Sequence, residues 1–225
     1  MSFEIQKILN WNKAHVTLML IASLISVYTS SIIVLGAVSL VSFAAYIYMF
    51  SAELSNYSPF AGYANWITLF RVIIISFICV FWQQLALSTV LLISVIGVLL
   101  DWLDGFLARK LNLTSEFGLY LDMEADAFLV SVVSIILWIS YDFHWIILLS
   151  GLLRYPYAVL LLFINGGNKK EPKRFYASFI TGFFYISLLL AFLSQSTLAE
   201  YILYSSSILI ILSFSRSLYF QIAGN

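Results

Sequence analysis

His15–Phe50 reads HVTLMLIASLISVYTSSIIVLGAVSLVSFAAYIYMF, 36 residues without one Asp, Glu, Lys or Arg. A membrane helix needs about 20 mostly apolar residues to cross roughly 30 Å of hydrocarbon, so the stretch is too long for one span. The polar turn Thr29-Ser30-Ser31 lies near its middle. Extended to residue 52, the segment predicts two antiparallel membrane helices joined at that turn.

The remainder of the chain agrees with lipid as the solvent. Of its 225 residues 62% are hydrophobic and 10% charged, with a mean hydropathy of +0.99, whereas a soluble domain carries about 45–50% apolar and about 25% charged residues. Eleven cations and eleven acids are too few to coat a soluble fold of this size, and the apolar content excludes a disordered chain. The formal charge is zero, so no broad basic surface is available to neutralise phosphates and no nucleic-acid partner is expected. The single cysteine, Cys79, forms no intramolecular disulfide, and without a CxxC or Cys/His cluster there is no case for structural zinc or an iron–sulfur cluster.

Dividing the chain at charges and turn formers gives about eight spans, two from 15–52 and six near 66–84, 87–108, 117–140, 144–164, 176–194 and 200–220. Lys and Arg of short loops are retained on the cytoplasmic side. Lys7 and Lys13 therefore place the N-terminus inside. With eight spans, Arg109 and Lys110, the cluster Lys169, Lys170, Lys173 and Arg174, and the C-terminus after Arg216 also fall inside, while the outer turns hold Asp142 and Glu200 but no cation. A single crossing over 15–52 would oppose the N-terminal lysines to both basic loops, so the charge pattern favours the hairpin. Residues 1–14, with Phe3, Ile5, Ile8 and Leu9 near one helical face, suit a short interfacial amphipathic helix. No small-residue cleavage site clearly follows the first apolar run, so a cleaved signal peptide is not expected.

Charged side chains inside a membrane helix cost at least about 2.5–3.5 kcal/mol near its centre and mark function. Four aspartates nevertheless surround one inner turn. Asp101 and Asp104 are three apart at the end of the fourth span, and Asp122 and Asp126 four apart at the start of the fifth. Each spacing puts its pair on one helical face, and antiparallel neighbours joined by a short loop bring both faces to similar depth. Carboxylates packed so closely repel unless cations bind them, and hard oxygen donors select Mg²⁺, Mn²⁺ or Ca²⁺. Helix-end aspartates neutralised by Arg109 and Lys110 are the plainer account of any one of them. Between the pairs, Gly105, Ala108 and Gly118 keep the faces low and Arg109 offers a fork for phosphate oxygens.

The segment DWLDGFLARKLNLTSEFGLYLDMEAD, Asp101–Asp126, resembles the signature of the CDP-alcohol phosphotransferase (CDP-alcohol phosphatidyltransferase) family: D-x-x-D-G-x-x-A-R, eight residues, then G-x-x-x-D-x-x-x-D. Every fixed position is present at the family spacing. Asn65, Thr68 and Arg71 resemble the N-x-x-T-x-x-R pattern that opens the family's first core helix. The resemblance implies an all-α integral membrane enzyme with a six-helix catalytic core over 60–225, preceded here by a transmembrane hairpin at 15–56. It also implies a homodimer of phospholipid biosynthesis that takes a CDP-linked lipid donor such as CDP-diacylglycerol, transfers its phosphoryl-alcohol group to an acceptor hydroxyl and releases CMP. One or two ions, Mg²⁺ or Mn²⁺, would sit on Asp101, Asp104, Asp122 and Asp126, with Asp126 as general base. The CDP would contact Asn65, Thr68, Arg71, Gly105, Ala108, Arg109 and Gly118.

Arg154 lies deep in a span next to Pro156, which is expected to kink that helix. Arg154, with Lys173 and Arg174, is the candidate site for an acceptor phosphate, which makes glycerol 3-phosphate the first choice of acceptor. A structural ion pair competes for Arg154, and the loop lysines equally suit a positive-inside loop. Glu124, off the Asp face, is expected at the interface, and His15 and His144 are expected as polar anchors of spans. The rival function is a cation transporter whose four aspartates form a transit site. Transporters commonly break their helices near the midplane, whereas these acids gather at one membrane face.

Overall fold

The computed structural model describes residues 3–55, 62–110, 115–141, 143–164 and 175–223, all helix, turn or coil with no strand. Ten helices follow in order: α1 Phe3–Thr29, α2 Ile33–Met49, α3 Ser51–Leu54, α4 Tyr63–Phe81, α5 Leu87–Lys110, α6 Glu116–Tyr141, α7 Ile146–Leu152, α8 Arg154–Phe163, α9 Phe175–Leu193 and α10 Thr197–Ala223. The protein is an all-α integral membrane protein. Among the described residues six helices are long and apolar enough to cross a bilayer, seven if the bent pair α7–α8 crosses as one span. The eighth span expected from sequence is α2, apolar but only 17 residues long, at the lower limit for crossing.

The chain forms two compact units, residues 1–132 and 133–225. In the first, α1 and α2 meet at the predicted turn. Ser30 adopts a left-handed conformation at φ 51°, Ser31 N–H donates to the Ser26 carbonyl at 3.1 Å and Ser30 N–H to that of Val27 at 3.4 Å, the paired bonds by which a helix end satisfies its last carbonyls. Helix α1 runs without a break through the boundary expected at residues 14 and 15. Ile8, Trp11, His15, Met19, Ala22 and Ser26 are all buried, and their steps of three and four make one unbroken stripe. The hairpin belongs to the same compact unit as the aspartates.

Helix α2 crosses α4 at close range: a Cβ on Gly36 would lie 2.5 Å from Cys79 Cβ and 3.6 Å from the Ser76 carbonyl. A small residue is what lets two helix backbones approach so closely in lipid. Helix α6 is the most enclosed span, with 67% of its apolar window buried against 22% for α5. In its N-terminal half Phe117, Leu121, Glu124 and Ala125 are buried, whereas Leu119 is exposed.

In the second unit, α7 and α8 are bent by 57° at Leu153. Pro156 stands in the first turn of α8, where its missing N–H leaves no intrahelical bond unmade. The kink expected from the proline is thus realised one turn before it. Buried serines join the helices of this unit, Ser150 Oγ to Ser207 Oγ at 3.1 Å and Ser187 Oγ to Ser206 Oγ at 2.6 Å, and Ser150, Ser187 and Ser206 also bond within their own helices.

Candidate active site

Helices α4 and α5 run antiparallel, and their polar positions repeat with the same step of three. That match produces a ladder. Thr68 Oγ1 donates to Asp104 Oδ2 at 2.7 Å and Arg71 Nη1 to Asp101 Oδ1 at 2.6 Å, two rungs one helical turn apart. Thr68 and Arg71 are both buried. Asp104 is 3% exposed, so its bond to Thr68 supplies the partner that a buried carboxylate requires.

Arg71 then reaches α6. Its Nη2 lies 2.8 Å from Asp122 Oδ1 and 3.4 Å from the Asp122 carbonyl, and its Nη1 lies 3.0 Å from Asp126 Oδ1. One fully buried guanidinium therefore faces three carboxylates from two helices, as its rigid fork of donors allows. The three are not sealed: the Asp101, Asp122 and Asp126 side chains keep 38%, 37% and 35% of their surface. All three side chains are thus partly accessible from outside the protein.

The convergence expected from the Asp spacing is present for three of the four. One carboxylate oxygen each from Asp101, Asp122 and Asp126 falls within 4.8 Å of the others. Asp104 stands one turn away, held by Thr68. Arg71 is a cation that stands against all three clustered carboxylates. Steps of three on both α4 and α5 let two rungs form once the helices are side by side, but do not by themselves say that they meet.

A Cβ on Gly118 would lie 2.7 Å from Asn65 Oδ1, so the missing side chain gives Asn65 of α4 its room. Gly118 N–H donates to Ser115 Oγ at 3.0 Å, which satisfies a donor of the first turn of α6. Gly105 lies on α5 one residue beyond Asp104 and is half-buried, and Ala108 and Arg109 continue the same helix.

A family model of CDP-alcohol phosphatidyltransferase matches residues 62–214, well over half of the chain. This chain belongs to the CDP-alcohol phosphatidyltransferase family. Among curated proteins it is similar to CDP-diacylglycerol--glycerol-3-phosphate 3-phosphatidyltransferase of Salmonella typhimurium, 40% identical over 85 residues that cover 36% of this chain and 47% of the relative. The protein of the same name from Wigglesworthia glossinidia brevipalpis is 47% identical over 85 residues, 36% of this chain and 46% of that one. The one from Escherichia coli K12 is 39% identical over the same length, 36% and 47%. The match thus spans about half the length of these relatives. No solved structure matches the chain. The matches give the transporter alternative no support.

CDP-alcohol phosphatidyltransferases are generally divalent-metal dependent, and the donor set here suits such an ion. Asp101, Asp122 and Asp126 offer only hard oxygens, the ligands Mg²⁺ and Mn²⁺ prefer over softer donors. With all three ionised, Arg71 leaves two formal negative charges at the cluster, an attraction for a cation that a helix-end aspartate lacks.

Two other sequence expectations are corrected. Glu124 is not interfacial but fully buried, accepting a 2.8 Å bond from Asn12 Nδ2 on α1. His15 is not an anchor at the membrane surface: it too is fully buried, with Nδ1 2.7 Å from Ser42 Oγ. His144 is exposed where α7 begins, its N–H 3.4 Å from the Tyr204 hydroxyl. Arg154, half-buried, opens α8 in the second unit. Lys173 and Arg174 lie outside the described residues.

Proposed function

We propose that this CDP-alcohol phosphatidyltransferase moves the phosphatidyl group of CDP-diacylglycerol to the free hydroxyl of glycerol 3-phosphate, releasing CMP, as a step of phospholipid biosynthesis. One observation carries the reading: carboxylates from α5 and α6 gather within 4.8 Å around a buried arginine in a chain of this family. Asp101, Asp122 and Asp126, joined by Asp104, would hold one or two Mg²⁺ or Mn²⁺ ions, whose charge offsets that of the diphosphate and of the departing CMP. In the transfer the acceptor oxygen forms a bond to the lipid-side phosphorus, the bond from that phosphorus to the CMP oxygen breaks, and its electron pair leaves with CMP. Asp126 takes the proton of the acceptor hydroxyl, a task for a carboxylate within hydrogen-bond reach.

Asn65, Thr68, Arg71, Gly105, Ala108, Arg109 and Gly118 are proposed as the CDP side of the site, where Arg71 keeps the carboxylates turned inward. Arg154, Lys173 and Arg174 are proposed to receive the acceptor phosphate. The core over 60–225 and the hairpin 15–56 are proposed to sit with both termini and the aspartates on the cytoplasmic side, as the lysine distribution favours, and to pair as a homodimer.

The test is CMP release from labelled CDP-diacylglycerol by the purified full-length chain, with glycerol 3-phosphate set against serine, inositol and choline. Turnover with glycerol 3-phosphate, abolished by EDTA and restored by Mn²⁺ or Mg²⁺, is expected. Release that persists in EDTA, or no release with any acceptor, overturns the proposal. Arg154→Ala should weaken the apparent affinity for glycerol 3-phosphate while donor binding survives.

A further inference from the structure

Residues before 62 lie outside the family match, yet they grip the helix that carries two of the aspartates. Tyr46 of α2 donates its hydroxyl to the Phe117 carbonyl at 3.2 Å and stacks on the Phe117 ring at 4.5 Å. Two turns further along α6, Asn12 Nδ2 of α1 donates to Glu124 Oε1 at 2.8 Å, and His15 Nε2 lies 3.9 Å from Glu124 Oε2. His15 is itself fixed. It stacks on Trp11 at 4.7 Å and meets Ser42 Oγ at 2.7 Å, while Trp11 Nε1 donates to the Ser42 carbonyl at 3.0 Å and stacks on Tyr46 at 3.9 Å.

At about 100° per residue, Glu124 projects diametrically opposite the midpoint between Asp122 and Asp126. Helix α6 is therefore held on one side by Arg71 and on the other by the hairpin. A carboxylate oxygen about 5–6 Å from a helix axis moves about 1 Å for each 10° of rotation, and a misplacement of about 1 Å at a reacting centre costs about 100-fold in rate. A buried carboxylate cannot turn away from its donor, here Asn12, without breaking that bond, at about 1–3 kcal/mol or more. The Asn12–Glu124–His15 contact is thus a stop against rotation of α6.

We propose that the N-terminal hairpin, through Asn12 and His15 acting on Glu124, sets the rotation of α6 and so positions Asp122 and Asp126 for the metal; Glu124 is a positioning residue, and the inference rests on the metal-site reading above. The test is Mn²⁺ binding, followed by the loss of the free-ion electron paramagnetic resonance signal, in the full-length protein and in Asn12→Ala, Glu124→Ala and Glu124→Gln. Glu124→Ala and Asn12→Ala should weaken Mn²⁺ binding, the former by about 10–100-fold, as lost supports of metal ligands do. Glu124→Gln keeps the oxygen that accepts from Asn12 and should restore most of the affinity. Mn²⁺ binding unchanged in Asn12→Ala and Glu124→Ala, or lost as fully in Glu124→Gln as in Glu124→Ala, overturns the inference. Should Glu124→Ala not yield a monodisperse protein, weakened binding in Asn12→Ala with near-normal binding in Glu124→Gln supports it, and unchanged binding in Asn12→Ala overturns it. Wild-type protein that binds Mn²⁺ without releasing CMP overturns the transfer reaction alone, whereas wild-type protein that binds no Mn²⁺ overturns the metal reading and this inference with it.

Discussion

Helix α6 carries acids on two faces that lead different lives. Asp122 and Asp126 share one guanidinium and retain 37% and 35% of their side-chain surface, whereas Glu124, between them in sequence, is fully enclosed and meets Asn12 and His15. Sequence distance does not separate them, since each Asp is two residues from Glu124. Their partners do. On the Asp face, negative charge exceeds the positive charge supplied and oxygens remain accessible, the conditions for taking up a cation and a substrate. On the Glu face the carboxylate is used up in holding helices together. Acidic residues in one membrane span thus divide by how far their surroundings enclose them, and the proposed chemistry belongs to the more accessible face.

The strongest attack on that contrast is Asp126→Asn, which keeps the shape of the Asp face and removes its proton acceptor. CMP release should fall by about 10²–10⁴-fold, while the thermal unfolding midpoint stays at or above that of wild type because one repelling charge is gone. A large drop in the midpoint would mean that Asp126 is structural, like Glu124. Arg71→Met comes next. It removes the positive charge from three carboxylates, and the loss of stability should approach, but stay below, the roughly 3–5 kcal/mol of a broken fully buried pair, since these side chains are about a third exposed. Added Mn²⁺ should then raise the unfolding midpoint of the variant more than that of wild type, and equal shifts would show that ion and arginine do not share ligands.

Thr68→Val should have a smaller effect, about 1.5–3 kcal/mol for a hydrogen bond to a charged group, with Asp104 deprived of its side-chain donor inside the protein. Chemical denaturation in detergent would read the change, and a value near zero would mean that Asp104 has another partner. Ser30→Gly is the control away from both faces. Relieving the left-handed serine at φ 51° should raise stability by about 0.5–1 kcal/mol and leave turnover unchanged.

Much of this was legible before any coordinates. The charge-free run His15–Phe50 and its Thr29-Ser30-Ser31 turn specify a helical hairpin, and spacings of three and four put Asp101 with Asp104 and Asp122 with Asp126, because both depend only on the fixed geometry within one helix. The signature from Asp101 to Asp126 likewise marks the family through local spacing. What lies across from each face is a different matter. Nothing along the chain states that Thr68 and Arg71 meet Asp104 and Asp101, that Asn65 fills the space left by Gly118, or that His15 and Glu124, 109 positions apart, lie within 4 Å of each other. Those pairings depend on the rotation and depth of each helix against its neighbours. Packing sets both, and packing is a sum over the whole unit, so only the tertiary structure decides which acids stay open for chemistry and which are spent as fasteners.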